Sequence, residues 1–159
     1  IYKNDLGEPV LRATRLGGVT IFTDQRPEGS AAALAGVGSA LRIIPLSAQA
    51  LLERLGQASF RASRAARRLM VFEAPNITAP SFTLVGDAAM IASEAVVRIS
   101  RRPDSNRVLA KFNTIRFTEG RKVGAELSKG TLQITVAPSQ GLAGRPSSER
   151  LVAVAANAR

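Results

Sequence analysis

The stretch from Leu84 to Arg102, LVGDAAMIASEAVVRISRR, constrains the fold more than any other part of the sequence. Ala88, Ile91, Ala92, Ala95, Val96 and Ile99 recur at helical spacing and form one continuous apolar stripe, with Asp87 placed to act as the N-cap. Met90 and Val97 add apolar surface on the other side, leaving only Glu94, Arg98 and Arg101 as a polar strip. Glu94 and Arg98 are i,i+4 neighbours of favourable order. A helix so nearly apolar all round must be covered on most sides, so the rest of the chain is expected to pack around it.

A second helix is predicted from a Ser47 cap to about Arg68, with Leu51, Leu52, Leu55, Ala58, Ala62, Ala65, Ala66 and Leu69 facing inward. Its outward face carries Glu53, Arg54, Gln57, Arg61, Arg64, Arg67 and Arg68, with Phe60 among the arginines. Gly56 lies inside this helix at a cost of about 1 kcal/mol relative to alanine, tolerable where packing supplies the rest or where another backbone comes close.

Strands are expected before, between and after these helices. Val10–Arg15 and Val19–Thr23 flank the turn Leu16-Gly17-Gly18, and residues 1–3 read as the end of a further strand beyond the turn at 5–9. Asp24–Gly29 reads as a loop, Ser30–Ser39 as a linker, and Leu41–Leu46 as a short apolar run broken by Pro45. Leu69–Glu73 follows as a strand, and Pro75 and Pro80 make a loop that leads into the apolar helix. Beyond it, 103–106 reads as a turn and Val108–Phe117 as a long strand. Gly120 and Gly130 then set off Val123–Leu127 and Thr131–Ala137 as an antiparallel meander. The order gives an α+β class, an antiparallel sheet with two main helices packed on one face. With 159 residues, one domain is expected over 1–138, followed at 139–159 by a mobile connector and a C-terminal segment able to dock back on it. No internal repeat is evident.

The sequence contains no cysteine and no histidine, which removes disulfides, thiolate chemistry, the common base of serine triads and the commonest metal ligands. No Gly-x-Ser-x-Gly elbow or Ser-x-x-Lys pair occurs, and Gly36-Val37-Gly38-Ser39 lacks both the third glycine of a dinucleotide fingerprint and the lysine of a phosphate loop. No catalytic residue, metal ligand or cofactor is therefore assigned. No apolar run reaches the length of a membrane span. The formal charge of +10 suits an acidic protein, an acidic envelope component or a nucleic acid. Arginine so far in excess of lysine, with abundant alanine, is also what a GC-rich genome produces. Aromatics make up only 4% of the chain, which argues against base stacking on single strands.

The segments Tyr2-Lys3-Asn4-Asp5-Leu6-Gly7 to Leu16-Gly17-Gly18, Arg64–Pro75 (RAARRLMVFEAP) and Gly144-Arg145-Pro146-Ser147-Ser148 together resemble an uncharacterised family of alphaproteobacterial proteins found in Caulobacter and its relatives. The resemblance covers most of the chain and transfers no site residues. It implies a bacterial protein that is exported, periplasmic or secreted, with further residues upstream of Ile1. The expectation is a non-enzymatic domain that binds a protein or envelope component through Phe60, Arg61, Arg64 and Arg68. The alternatives are a nucleic-acid or polyanion binder, and an enzyme whose site uses neither histidine nor cysteine.

Overall fold

The computed structural model describes residues 1–39 and 44–158, so part of the 41–46 run lies outside the described residues. The chain divides into two compact units, residues 1–42 and 43–159.

The first unit is a four-stranded antiparallel meander of β1 (Tyr2–Lys3), β2 (Pro9–Ala13), β3 (Val19–Thr23) and β4 (Arg26–Ala32), paired in that order. The loop expected at 24–29 is thus mostly a strand. Gly29 explains why: it sits at φ +93° where a Cβ would lie 2.5 Å from the Thr20 side chain, so only glycine lets β4 lie flat on β3. Pro27 is tolerated because β4 is an edge strand. The first two turns share a design. Asn4 Oδ1 accepts from the backbone N–H of Leu6 and Glu8 at 3.0 Å, and Thr14 Oγ1 accepts from Gly18 N–H at 3.0 Å. Each turn then closes through a glycine with positive φ, Gly7 or Gly17.

The second unit holds α1 (Ala48–Ala66), β5 (Val71–Glu73), α2 (Phe82–Ser100), α3 (Ser105–Leu109), β6 (Phe112–Glu119), β7 (Gly124–Ser128), β8 (Gly130–Val136) and α4 (Ser148–Asn157). The α+β class stands. The sheet order is β5-β6-β8-β7, with β7 antiparallel to β8 but β6 parallel to both β5 and β8. The expected simple meander is therefore corrected: β7 takes the edge and β8 inserts beside β6. Phe72, Ile115, Phe117, Leu132, Ile134 and Val136 point to one face and are buried with the helices. Glu73, Arg116, Gln133 and Glu126 form a polar row across the other.

α2 is the organising helix, with buried positions along its whole length from Leu84 to Ile99. It starts earlier than expected, through a 3-10 turn at Ala79–Ser81 whose Pro80 needs no N–H partner in a first turn. Asp87 consequently lies inside the helix and is not its cap. Its carboxylate instead pairs with Arg145 from the segment before α4. The turn expected at 103–106 runs into the short α3, so β6 begins at Phe112 rather than at 108. After β8, a 3-10 helix at Pro138–Ala143 leads to α4, which Ser147 caps by accepting from Arg150 N–H at 3.2 Å. Leu151 and Ala155 of α4 are buried, and Arg98 donates to Ser148 Oγ at 2.9 Å.

Candidate functional site

The outward face of α1 begins from the way the helix is anchored. Ser47 Oγ accepts from Ala50 N–H at 3.1 Å, as the sequence predicts, and Arg67 ends the helix at φ 54°. Leu51, Leu55, Ala58 and Ala62 are buried. A line through these four positions leaves Phe60 on the opposite side, at about 180° from their centre. Phe60 is 65% exposed.

The four residues expected to form the site are not equivalent. Arg64 carries its guanidinium over the Phe60 ring, 5.8 Å from the centroid, in a cation–π stack at the centre of the solvent face. Arg61 turns towards α2, pairing with Glu94 and donating to Ser93 Oγ at 3.1 Å. Arg68 reaches inward and donates from one nitrogen to the carbonyls of Leu109 and Phe112, fastening the end of α1 to the α3–β6 connection. Phe60, Arg61, Arg64 and Ala65 line one shallow open depression, while Arg68 lies outside it. What remains available to a ligand is an aromatic ring with one arginine laid on it, whose planar fork is free to clamp a carboxylate in bidentate fashion.

Two leucines expected inside are outside. Leu52 is 64% exposed and Leu69 is 72% exposed. The signal for Leu52 was present in the sequence: it lies one residue, and so about 100° of helix, beyond the buried Leu51. One turn on, Gly56 opens a gap between Leu52 and Phe60, and a Cβ built there meets no atom of the described residues within 4 Å. Glu53, on the same flank as Arg64, accepts from Gln49 Nε2 at 3.1 Å.

The positive charge is unevenly divided. Residues 1–39 hold Lys3, Arg12, Arg15 and Arg26 against Asp5, Glu8, Asp24 and Glu28, so the excess lies beyond them. Much of it is tied down. Arg116 pairs with Glu73 at 2.6 Å, and Arg102 and Arg107 both pair with Asp104, at 2.8 and 2.9 Å. The Arg102 hydrogen bond, with smaller help from its charge and from Arg107, lowers the Asp104 carboxyl from 3.8 to about 2. Glu119 is also held below its ordinary value, first by the Thr78 hydroxyl and then by the Thr78 N–H, which donate at 2.7 and 2.8 Å. Among the described residues, no group of three or more acidic or sulfur and imidazole side chains is placed to hold a metal ion. No described helix is long and apolar enough to cross a membrane.

Fold and surface together define an α+β protein whose second unit presents a basic, aromatic-centred helix face. A family model described as Domain of unknown function (DUF4908) matches residues 1–155, and the chain belongs to that family. The match spans both compact units. No curated protein and no solved structure matches the chain.

Proposed function

We propose that this chain is a non-enzymatic, exported domain of an alphaproteobacterial protein, and that it binds another protein or an acidic envelope component through the outward face of α1. The observation that carries the reading is the Arg64–Phe60 stack. A phenylalanine turned inward would contribute about 1.5–3 kcal/mol of burial, and here that surface faces water instead. Phenylalanine and arginine are among the residue types enriched at protein interfaces, and stacking holds the guanidinium ready for a carboxylate. Arg61 and Arg68 take part in this reading as struts that hold the face in place, through Glu94 and through the carbonyls at 109 and 112. The absence of histidine and cysteine supports the non-enzymatic assignment, and the family resemblance of the opening, central and closing segments supports export.

The test is a comparison of wild type, Phe60→Ala and Arg64→Glu as immobilised bait for native envelope extract. Wild type is expected to retain a partner that both variants lose. Identical retention by all three overturns the reading. Polarisation titrations with duplex and single-stranded DNA at about 50 and 200 mM salt examine the polyanion alternative. Steeply salt-dependent binding that survives Phe60→Ala would replace a protein-type contact with charge-driven binding.

A further inference from the structure

Gly56 is placed where no described residue needs it. Gly86, on α2, explains itself: a Cβ there would lie 2.9 Å from Leu46 Cδ1 and 3.7 Å from Arg54 Cγ. At Gly56 the same construction meets no described atom within 4 Å, although glycine inside a helix is unfavourable. Glycine in an outward ridge leaves room for the backbone of another molecule to come close.

The surroundings of Gly56 are nearly symmetric. Leu52 lies one turn before it and Phe60 one turn after, both exposed, along a single i,i+4 ridge. A two-fold axis crossing the helix at Gly56 generates an antiparallel copy in which each Phe60 lies beside the other copy's Leu52. The charges agree with this arrangement. Glu53 and Arg64 project from the same flank of the ridge, at about 60° and 80° from Gly56. In the antiparallel pair, Glu53 of one copy comes within about 7–8 Å along the axis of Arg64 of the other, within reach of an arginine side chain. A parallel pair would put Glu53 and Arg64 of the two copies on opposite flanks, where they do not meet.

We propose that the outward face of α1 associates with the same face of a second copy of this chain, antiparallel and crossing at Gly56. The proposal rests on the reading that this face is a protein-binding surface, and it names the occupant. One helix pair covers less than the about 1,200 Å² of a standard interface, so the dimer is weak and forms at high local concentration.

Sedimentation velocity over about 10 µM to 1 mM is the direct measurement, and a dissociation constant on the order of 100 µM is expected. Glu53→Arg and Arg64→Glu should each weaken self-association at least about tenfold by setting like charges together. An equimolar mixture of the two should associate as wild type does, because both cross-pairs are then restored. The absence of native cysteine permits a second readout. Leu52→Cys and Phe60→Cys chains, mixed and oxidised, should form a mixed disulfide in preference to either homodimer. A wild type that stays monomeric to about 1 mM overturns the proposal, as does a charge-swapped mixture that stays monomeric. If Arg64→Glu also loses an envelope partner while wild type remains monomeric, the face has another occupant: the broader reading holds and this one falls.

Discussion

Replacing Gly56 with alanine should stabilise the isolated protein, and replacing Gly86 with alanine should stabilise it less. Both glycines lie inside helices, so each substitution gains about 0.8–1.0 kcal/mol of helix propensity from the reduced freedom of the unfolded chain. At Gly56 no described atom opposes that gain, because the added methyl meets none within 4 Å. At Gly86 the methyl meets Leu46 Cδ1 at 2.9 Å, closer than real Cβ atoms come. The flexible leucine end must move aside, and that shift takes back part of the gain. For a chain of this size the Gly56→Ala gain corresponds to a rise of about 2–4 °C in melting temperature. Calorimetry and urea melts at about 5 µM, where self-association is absent, measure both variants against wild type. A Gly56→Ala protein that is unchanged or less stable at that concentration would refute the reasoning, since its helix position would then be covered from within the chain.

Three further outcomes follow from the contacts of α2, α1 and α3. Ala92→Leu overpacks a buried position of α2 and should cost about 1–3 kcal/mol, whereas Arg64→Ala should stay within about 0.5 kcal/mol, both read from denaturant midpoints. Arg68→Ala removes the donor shared by the Leu109 and Phe112 carbonyls, and a loss of about 1–2 kcal/mol is expected, which separates its strut role from Arg64 on the same helix. The Asp104 carboxyl carbon, followed by NMR, should titrate at about 2 in the native protein. Its folded value lies below the unfolded 3.8, so the stabilisation from Arg102 and Arg107 is complete above 3.8 and is lost as pH falls towards about 2. A native Asp104 titrating near 3.8 would show that the two arginines are not engaged in solution.

How much of this was legible depended on how local each cause is. The cap at Ser47, the buried face at Leu51, Leu55, Ala58 and Ala62, and the covered length of α2 all follow from neighbours within two helical turns, and periodicity reports such neighbours directly. Asp87 shows where that reasoning ends. Its type and position suit a cap, but Pro80 is as compatible with a first turn as with a loop, and the helix runs past it to meet Leu84 and Val85 in the core. Asp87 is then held by Arg145, 58 residues further on, a partner no sequence window contains. The parallel pairing of β6 with β8 has the same origin, because the short turns around β7 suggest a meander while the choice of neighbour is decided across the whole sheet. The binding face was half legible for a related reason. Composition and spacing put Phe60 outward among the arginines, but which arginines remain available is set by acceptors on other elements: Glu94 and Ser93 take Arg61, and the carbonyls of 109 and 112 take Arg68. Arg64 has Phe60 as its neighbour one turn back, so the sequence could foresee its environment, and of Arg61, Arg64 and Arg68 it is the one that no acceptor on another element takes. A site on this helix is therefore defined by subtraction, and the Glu53, Gly56 and Arg64 substitutions act on what the fold has left over.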